Sequence, residues 1–357
     1  VNFDFTDDQR EIKRTARELL AARSSMERVR AIAEGGNGYD AALWEELVGL
    51  GWSGIALPEE HGGVGLGVIE LAIVLEELGY AATPSRFLSN ALAGQLIAAA
   101  GSERQHARLL PGIAAGDHTG TVGIARGGVA ELVPDADSAR WVVLVEEGRA
   151  RLYDAATGEL RIDPRETIDP TRRYARVTVA DGAAGEPLEG DAAGGLDRAE
   201  TILAAELTGL AQRALELTVA YVQERRQFGT PVGAFQAVSH RAAQMLLETE
   251  GARSATWFAA WAADAEPASL PRAASIAKAA AADAGRQVTA AAIQLHGGIG
   301  FTWEADVHWL YKRAQLDAAL LAPAGWHRRR VARLAAAALG AGGVAAADSP
   351  ATPAGAA

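Results

Sequence analysis

Hydrophobic and polar positions follow three regimes along the chain. In the first, apolar residues recur at helical spacing. Thr6 stands before Asp7, Asp8 and Gln9, an N-cap followed by acidic first-turn residues, and Ile12, Ala16, Leu19 and Leu20 continue as one stripe. A second helix is expected over 39–50, with Leu43, Leu47 and Leu50 on one side and Gly51 at its end. A glycine-dense loop covers 57–67, and apolar helices follow over 68–79 and 87–100, then a short one to about 110–112. From 120 to 179 the period falls to two. Strands are expected over 121–125, 141–145, 150–153 and 174–179, with turns at Glu147-Gly148, Thr157-Gly158 and Asp169-Pro170. Beyond a Gly/Ala-rich link over 181–195, long Ala-rich helices are expected over 196–226, 233–263, 272–295 and 306–339. The last residues, from 342 on, hold mainly Ala, Gly, Pro and Ser.

This reading gives a mostly α, α+β protein. It has an N-terminal helical domain (1–118), a small antiparallel β domain (119–190), a C-terminal four-helix bundle (195–340) and a disordered tail (341–357).

Composition narrows the function. The 357 residues suffice for several domains, and the absence of cysteine excludes disulfides, thiolate metal sites and Cys nucleophiles. With 45 acidic against 34 basic side chains, a net charge of −11 argues against nucleic acid as a partner. No apolar run approaches the roughly 20 residues of a membrane span, and the acidic, polar opening resembles no targeting leader, so a cytoplasmic location is expected.

Candidate chemistry lies in the last third. Arg225, in the run Glu224–Gly229 (ERRQFG), stands three and four residues before Phe228 and Gly229. A guanidinium fork beside glycine suits a phosphate, although a basic residue ending a helix also balances its dipole. Gln294, Leu295, His296, Gly297 and Gly298 open a second glycine-rich stretch, which reads either as an anion-approach loop or as an interhelical turn.

With these motifs the chain resembles the acyl-CoA dehydrogenases over about residues 2–340. The early runs 44–52 and 58–65, the stretch 76–79 (EELG), the run beginning at Gly209, the 224–229 run with Phe235 and Gln236, and the stretch 294–304 occur in the family's order. The resemblance implies FAD as cofactor, an acyl-CoA thioester as substrate, α,β-desaturation as reaction and an electron-transfer acceptor. It implies that Arg225 contacts the flavin pyrophosphate and Phe228 its adenine side. It also implies that Gln294, Leu295, His296, Gly297 and Gly298 approach the same phosphates across a subunit interface.

Two departures matter. The family's carboxylate base falls at about Leu321, with Ala322 and Pro323 as neighbours, or in some members at Ala199, and none of these accepts a proton. The nearby acids are Asp197, Glu200 and Asp317, with Glu200 read as an exposed helix-start residue and Asp317 as a solvated charge. The stretch 122–131 also lacks the Thr, Glu-Pro and Ser-Asp pieces that line the flavin ring. Asp169–Arg172 (DPTR) and Trp326–Arg328 (WHR) are similar to a divergent actinobacterial branch in which two related subunits form a steroid acyl-CoA dehydrogenase. The expectation is a base-lacking partner of a homologous subunit in a dimer or tetramer. The alternatives are a self-sufficient homomer with Glu200 as displaced base, and a helical scaffold without flavin. An acyl pocket is expected along the loop after Gly79 and the first C-terminal helices, where Trp257, Phe258 and Trp261 cluster, although such a cluster is more often core.

Overall fold

Thr6 opens the first helix as its sequence requires. Its hydroxyl accepts from the Gln9 amide, and the Gln9 side chain accepts from the Thr6 amide at 3.0 Å. The computed structural model describes residues 4–36 and 38–340, so the tail expected over 341–357 lies outside the described residues.

The N-terminal region comprises α1 (Asp7–Arg23), α2 (Met26–Gly35), α3 (Ala41–Gly49), α4 (Val68–Tyr80), α5 (Phe87–Ala100) and α6 (Glu103–Ala114). Helix α2 was not expected. Its Ser25 cap and its buried Val29, Ile32 and Ala33 give it a short apolar face. Helix α4 is buried nearly all round because α1, α7 (Ala192–Glu224) and α8 (Gln236–Ala265) surround it. Its buried Glu76 and Glu77 are held by Lys13, Arg17 and Arg253. A Cβ at Gly79 would sit 2.1 Å from the Glu206 carbonyl oxygen, and one at Gly209 would sit 1.9 Å from that of Glu76. The glycines of the 76–79 and 209 motifs therefore let α4 and α7 touch backbone to backbone.

The middle region forms two stacked sheets from β1 (Gly120–Ile124), β2 (Val129–Pro134), β3 (Trp141–Glu146), β4 (Arg149–Asp154), β5 (Leu160–Arg165), β6 (Tyr174–Val179) and β7 (Glu186–Leu188). One sheet has the order β1-β3-β4-β7 and the other β2-β6-β5. The four expected strands are present. The all-antiparallel expectation fails at β1 and β3, which pair in parallel from Gly120 opposite Trp141 to Ile124 opposite Val145. The chain leaves β1, forms β2 in the other sheet and returns beside β1 in the same direction, a crossover instead of a hairpin. The link expected over 181–195 contains β7 and the first turn of α7.

The C-terminal region packs α7, α8, α9 (Leu270–His296), α10 (Val307–Ala319) and α11 (Ala324–Ala338), with a small hairpin of β8 (Arg226–Gln227) and β9 (Thr230–Pro231) between α7 and α8. The helix expected over 306–339 is broken at 320–323, where Leu321 adopts φ +62°. The buried Lys278 of α9 fixes this break. Its ammonium donates to the carbonyls of Ala318 at 3.3 Å, Leu320 at 3.1 Å and Ala322 at 3.0 Å. Burial lowers the Lys278 pKa, and Glu200 opposes that shift.

Between the regions lies a buried ionic network. Arg313 of α10 donates to Asp169 at 2.6 Å and to Glu206 at 3.2 Å, and Arg172 donates to Glu206 at 2.5 Å and to Asp317 at 2.6 Å. Asp317, read from sequence as solvated, is fully buried here. Burial above all raises its pKa to about 7. A charge on a helix looks solvent-facing until a distant cation is folded against it.

Candidate functional site

A cavity of about 390 Å³ opens between the sheets and the C-terminal helices. Four separate stretches line it. They are the end of β1 with Ile124 and Ala125, the β3–β4 turn with Glu147 and Gly148, the start of α7 with Leu196, Asp197 and Glu200, and the α10–α11 break with Leu321 and Ala322. Trp326 and Arg330 of α11 complete the wall. Trp257, Phe258 and Trp261 do not line it. Trp257 packs edge-on against Phe5 and the N-terminal core, and the other two pack against the bundle core. These three aromatics pack as core, the commoner role of an aromatic cluster on a helix.

The side chains at and behind the wall decide its chemistry. Leu321 and Ala322 present apolar surface, and Leu321 holds a left-handed backbone that a branched side chain adopts only at a cost. Ala199 is fully buried and does not line the cavity. Glu200 does line it and is only 5% exposed, which overturns its reading as an exposed helix-start residue. It lies in the third turn of α7, where the helix packs on α9 and α11. Its Oε1 lies 3.3 Å from His327 Nε2, and its Oε2 lies 3.7 Å from Lys278 Nζ. Neither His327 ring nitrogen has a hydrogen bond among the described residues. Beside them Arg330 grips Asp197 with both terminal nitrogens, the outer one at 2.8 Å. Burial raises the Asp197 pKa while Arg330 pulls it back.

The residues expected on the phosphate side are on the surface. Arg225 caps the C-terminus of α7, and its guanidinium has no partner among the described residues. Gln227 pairs with Thr230 across a two-residue loop, Phe228-Gly229, in which both residues have positive φ (+53° and +79°). That geometry is a primed hairpin turn, which glycine adopts freely and phenylalanine only under strain. The turn holds Phe228 in solvent, 95% exposed.

Gln294, Leu295 and His296 end α9, and Gly297 and Gly298 begin the following turn. His296 stacks on Tyr221 of α7 with ring centroids 4.4 Å apart, so the two candidate segments adjoin at one end of the bundle. The His296 Nδ1 donates to the Ala292 carbonyl at 2.7 Å, and burial lowers the pKa of the ring. A Cβ at Gly298 would meet nothing within 4 Å, so packing within this chain does not require glycine there.

Comparison with known proteins agrees with this architecture. The acyl-CoA dehydrogenase N-terminal domain family matches residues 6–117, and the acyl-CoA dehydrogenase C-terminal domain family matches residues 191–336. Acyl-CoA dehydrogenase IpdE2 of Mycobacterium tuberculosis is 36% identical over 316 residues, covering 88% of this chain and 93% of that protein. Acyl-CoA dehydrogenase FadE34 of the same organism is 34% identical over 356 residues, covering 92% of this chain and 48% of that longer protein. Among solved structures, the Tcur3481-Tcur3483 steroid acyl-CoA dehydrogenase superposes with a TM-score of 0.86 at 30% identity, covering 94% of this chain and 99% of that one. The ChsE4-ChsE5 complex from Mycobacterium tuberculosis shares the fold, with a TM-score of 0.86 at 22% identity, covering 94% and 99%. With both terminal domains matched in order around the two-sheet layer, the chain belongs to the FAD-dependent acyl-CoA dehydrogenase family.

Proposed function

We propose that this chain is the base-lacking subunit of a heteromeric acyl-CoA dehydrogenase that desaturates a steroid-derived acyl-CoA thioester at its α,β bond. The observation that carries the reading is the apolar wall at the break between α10 and α11. Removing an α-proton requires a base within hydrogen-bonding reach, and Leu321 and Ala322 offer none. The composite name of the Tcur3481-Tcur3483 steroid enzyme, 30% identical, supports a paired assembly and a steroid-type substrate.

The residues present fit FAD. Arg225 offers an unpaired guanidinium to a diphosphate, Phe228 offers an exposed ring, and Gly298 leaves room for close backbone approach. When bound, FAD supplies the hydride acceptor of the reaction. This chain's residues bind and orient its phosphates, while the proton is removed by a carboxylate of the partner. Leu246 and Leu247 on α8 and Phe301 and Trp303 after α9 are exposed apolar side chains, as expected of a surface that meets another dehydrogenase-like chain. An external electron acceptor would complete the cycle.

A second reading rests on Glu200. A carboxylate on the cavity wall beside His327 is placed to act as a displaced base in a homomer. The Lys278 ammonium counts against it, because it lies 3.7 Å from Glu200 Oε2 and already engages that carboxylate in a buried ion pair. The test is co-expression with dehydrogenase-like chains, followed by native mass, flavin stoichiometry and acyl-CoA turnover. The first reading expects turnover only in the mixed assembly and an unchanged rate for Glu200→Gln. Turnover by the isolated chain that is lost in Glu200→Gln refutes it. A colourless mixed assembly would leave the helical-scaffold alternative.

A further inference from the structure

We propose that His61, Glu103 and His106 form a zinc site that ties the turn after residue 57 to helix α6. Their ligand atoms all lie within 4.8 Å of one another, on the N-terminal helical region. The cluster shares no residue with the cavity or with the phosphate-side segments.

The backbone fixes two of the three ligands. His61 ends a short 3-10 turn, Glu59–His61, in which its amide donates to Pro58 at 3.1 Å. Gly62 follows with φ +83°, and Gly63 folds back so closely that a Cβ would lie 2.1 Å from the Leu57 carbonyl oxygen. The His61 side chain therefore leaves a rigid turn. Glu103 and His106 are three residues apart on α6 and share a face, a spacing that places a carboxylate and an imidazole together on one helix. The helix itself is anchored, since Gln105 donates to Glu186 at 2.8 Å and to the Pro187 carbonyl at 3.0 Å.

The tautomer of His106 is also set. Its Nε2 lies 3.0 Å from the Ile97 carbonyl oxygen, which can only accept, so Nε2 carries the hydrogen and Nδ1 of the neutral ring offers a lone pair. That Nδ1 lies 3.8 Å from Glu103 Oε1. A metal-bound histidine commonly donates its other N–H to a carbonyl in this way. Gly101 makes the arrangement possible, because a Cβ there would lie 2.9 Å from Nε2.

The ligand set selects the metal. Two imidazoles and a carboxylate suit zinc, whereas magnesium and calcium favour all-oxygen shells. Tetrahedral zinc with ligands at about 2.0–2.1 Å needs them roughly 3.4 Å apart. The Glu103 side chain, 94% exposed, is free to turn and close the remaining distance. Three protein ligands leave a fourth position for water, and the acidic Glu59 and Glu60 beside His61 add favourable charge.

The test uses the untagged full chain, stripped with chelator, re-equilibrated with zinc chloride and passed through a desalting column. One zinc per chain is expected, with a zinc-dependent rise in melting temperature. His61→Gln is expected to abolish both, and the exposed Glu103→Gln to weaken binding by at least about tenfold. Both variants should keep the wild-type far-UV spectrum and zinc-free melting temperature, which separates lost binding from lost folding. Cobalt should give a visible d–d band in the wild type and none in His61→Gln. Absence of retained zinc in the wild type, or equal retention in His61→Gln, overturns the proposal.

Discussion

Replacing Arg313 by methionine should be among the most damaging single changes to stability in this chain. The guanidinium is fully buried and makes bonds to Asp169, Glu206, the Thr171 side chain and the backbone carbonyls of Thr171 and Thr83, at 3.0 and 3.3 Å for the two carbonyls. Two arginines face three carboxyl groups, Asp169, Glu206 and Asp317, so the network has no cation to spare. Removing Arg313 strands the Asp169 carboxylate with only Thr171 donors. Breaking a buried pair by deleting one partner costs about 3–5 kcal/mol. An unfolding entropy of roughly 0.7 kcal/mol/K follows for a chain of 357 residues at about 2 cal/mol/K per residue. The melting temperature should then fall by about 4–7 °C. The assay is calorimetry of wild type and variant in the same oligomeric state, since assembly adds its own stabilisation. Asp169→Asn combined with Arg313→Met should cost clearly less than the two single changes added together. A loss below about 1 kcal/mol for Arg313→Met, or strict additivity in the double variant, refutes the reasoning.

Three further outcomes follow from named contacts. The Asp317 pKa is raised to about 7, so the native state holds its proton more tightly than the unfolded chain; this group's contribution to stability is full below about pH 4 and is lost as pH rises through 7. Asp135, raised to about 6 by burial, acts in the same direction, so Asp317→Asn should reduce but not remove these groups' loss of stability between about pH 4 and 7 in denaturant titrations. Gly209→Ala drives a methyl into the Glu76 carbonyl and should cost at least about 3 kcal/mol in thermal melts, whereas Gly251→Ala, where a Cβ meets nothing within 4 Å, should be neutral or stabilising. Arg225→Ala should lower flavin affinity by one to two decades, from loss of a charge-assisted bond of about 1.5–3 kcal/mol, read as flavin retained after gel filtration with the melting temperature unchanged.

Local signals in the sequence were readable and distant pairings were not. Thr6 marks its cap because the bonds involved span only three residues. Gly79 and Gly209 stood out as motif glycines, yet only the helix crossing shows that each faces the other helix's backbone. Strand β5, with Arg161, Asp163, Pro164 and Arg165, escaped notice because it has one wet face and little apolar alternation. The run from Ala318 to Ala322 reads as uninterrupted helix, with Pro323 as the signal of a break. Glu200 and Asp317 look like surface charges in the sequence, because their cations lie on helices far along the chain. The phosphate-side candidates are contiguous and could be named in advance. The cavity gathers short pieces from four separate stretches, and no local pattern announces it.

The ammonium of Lys278 has three hydrogens, and three carbonyls receive them. One wall of the cavity is therefore preorganised before anything enters, and a ligand that meets Leu321 and Ala322 loses little entropy in ordering them. The opposite wall ends in the β3–β4 turn, where Glu147 and Gly148 both hold positive φ at the protein surface. The ordering cost of binding falls on that turn. Substitutions there should change how fast a ligand enters and leaves, while the Lys278 side keeps the shape that it meets.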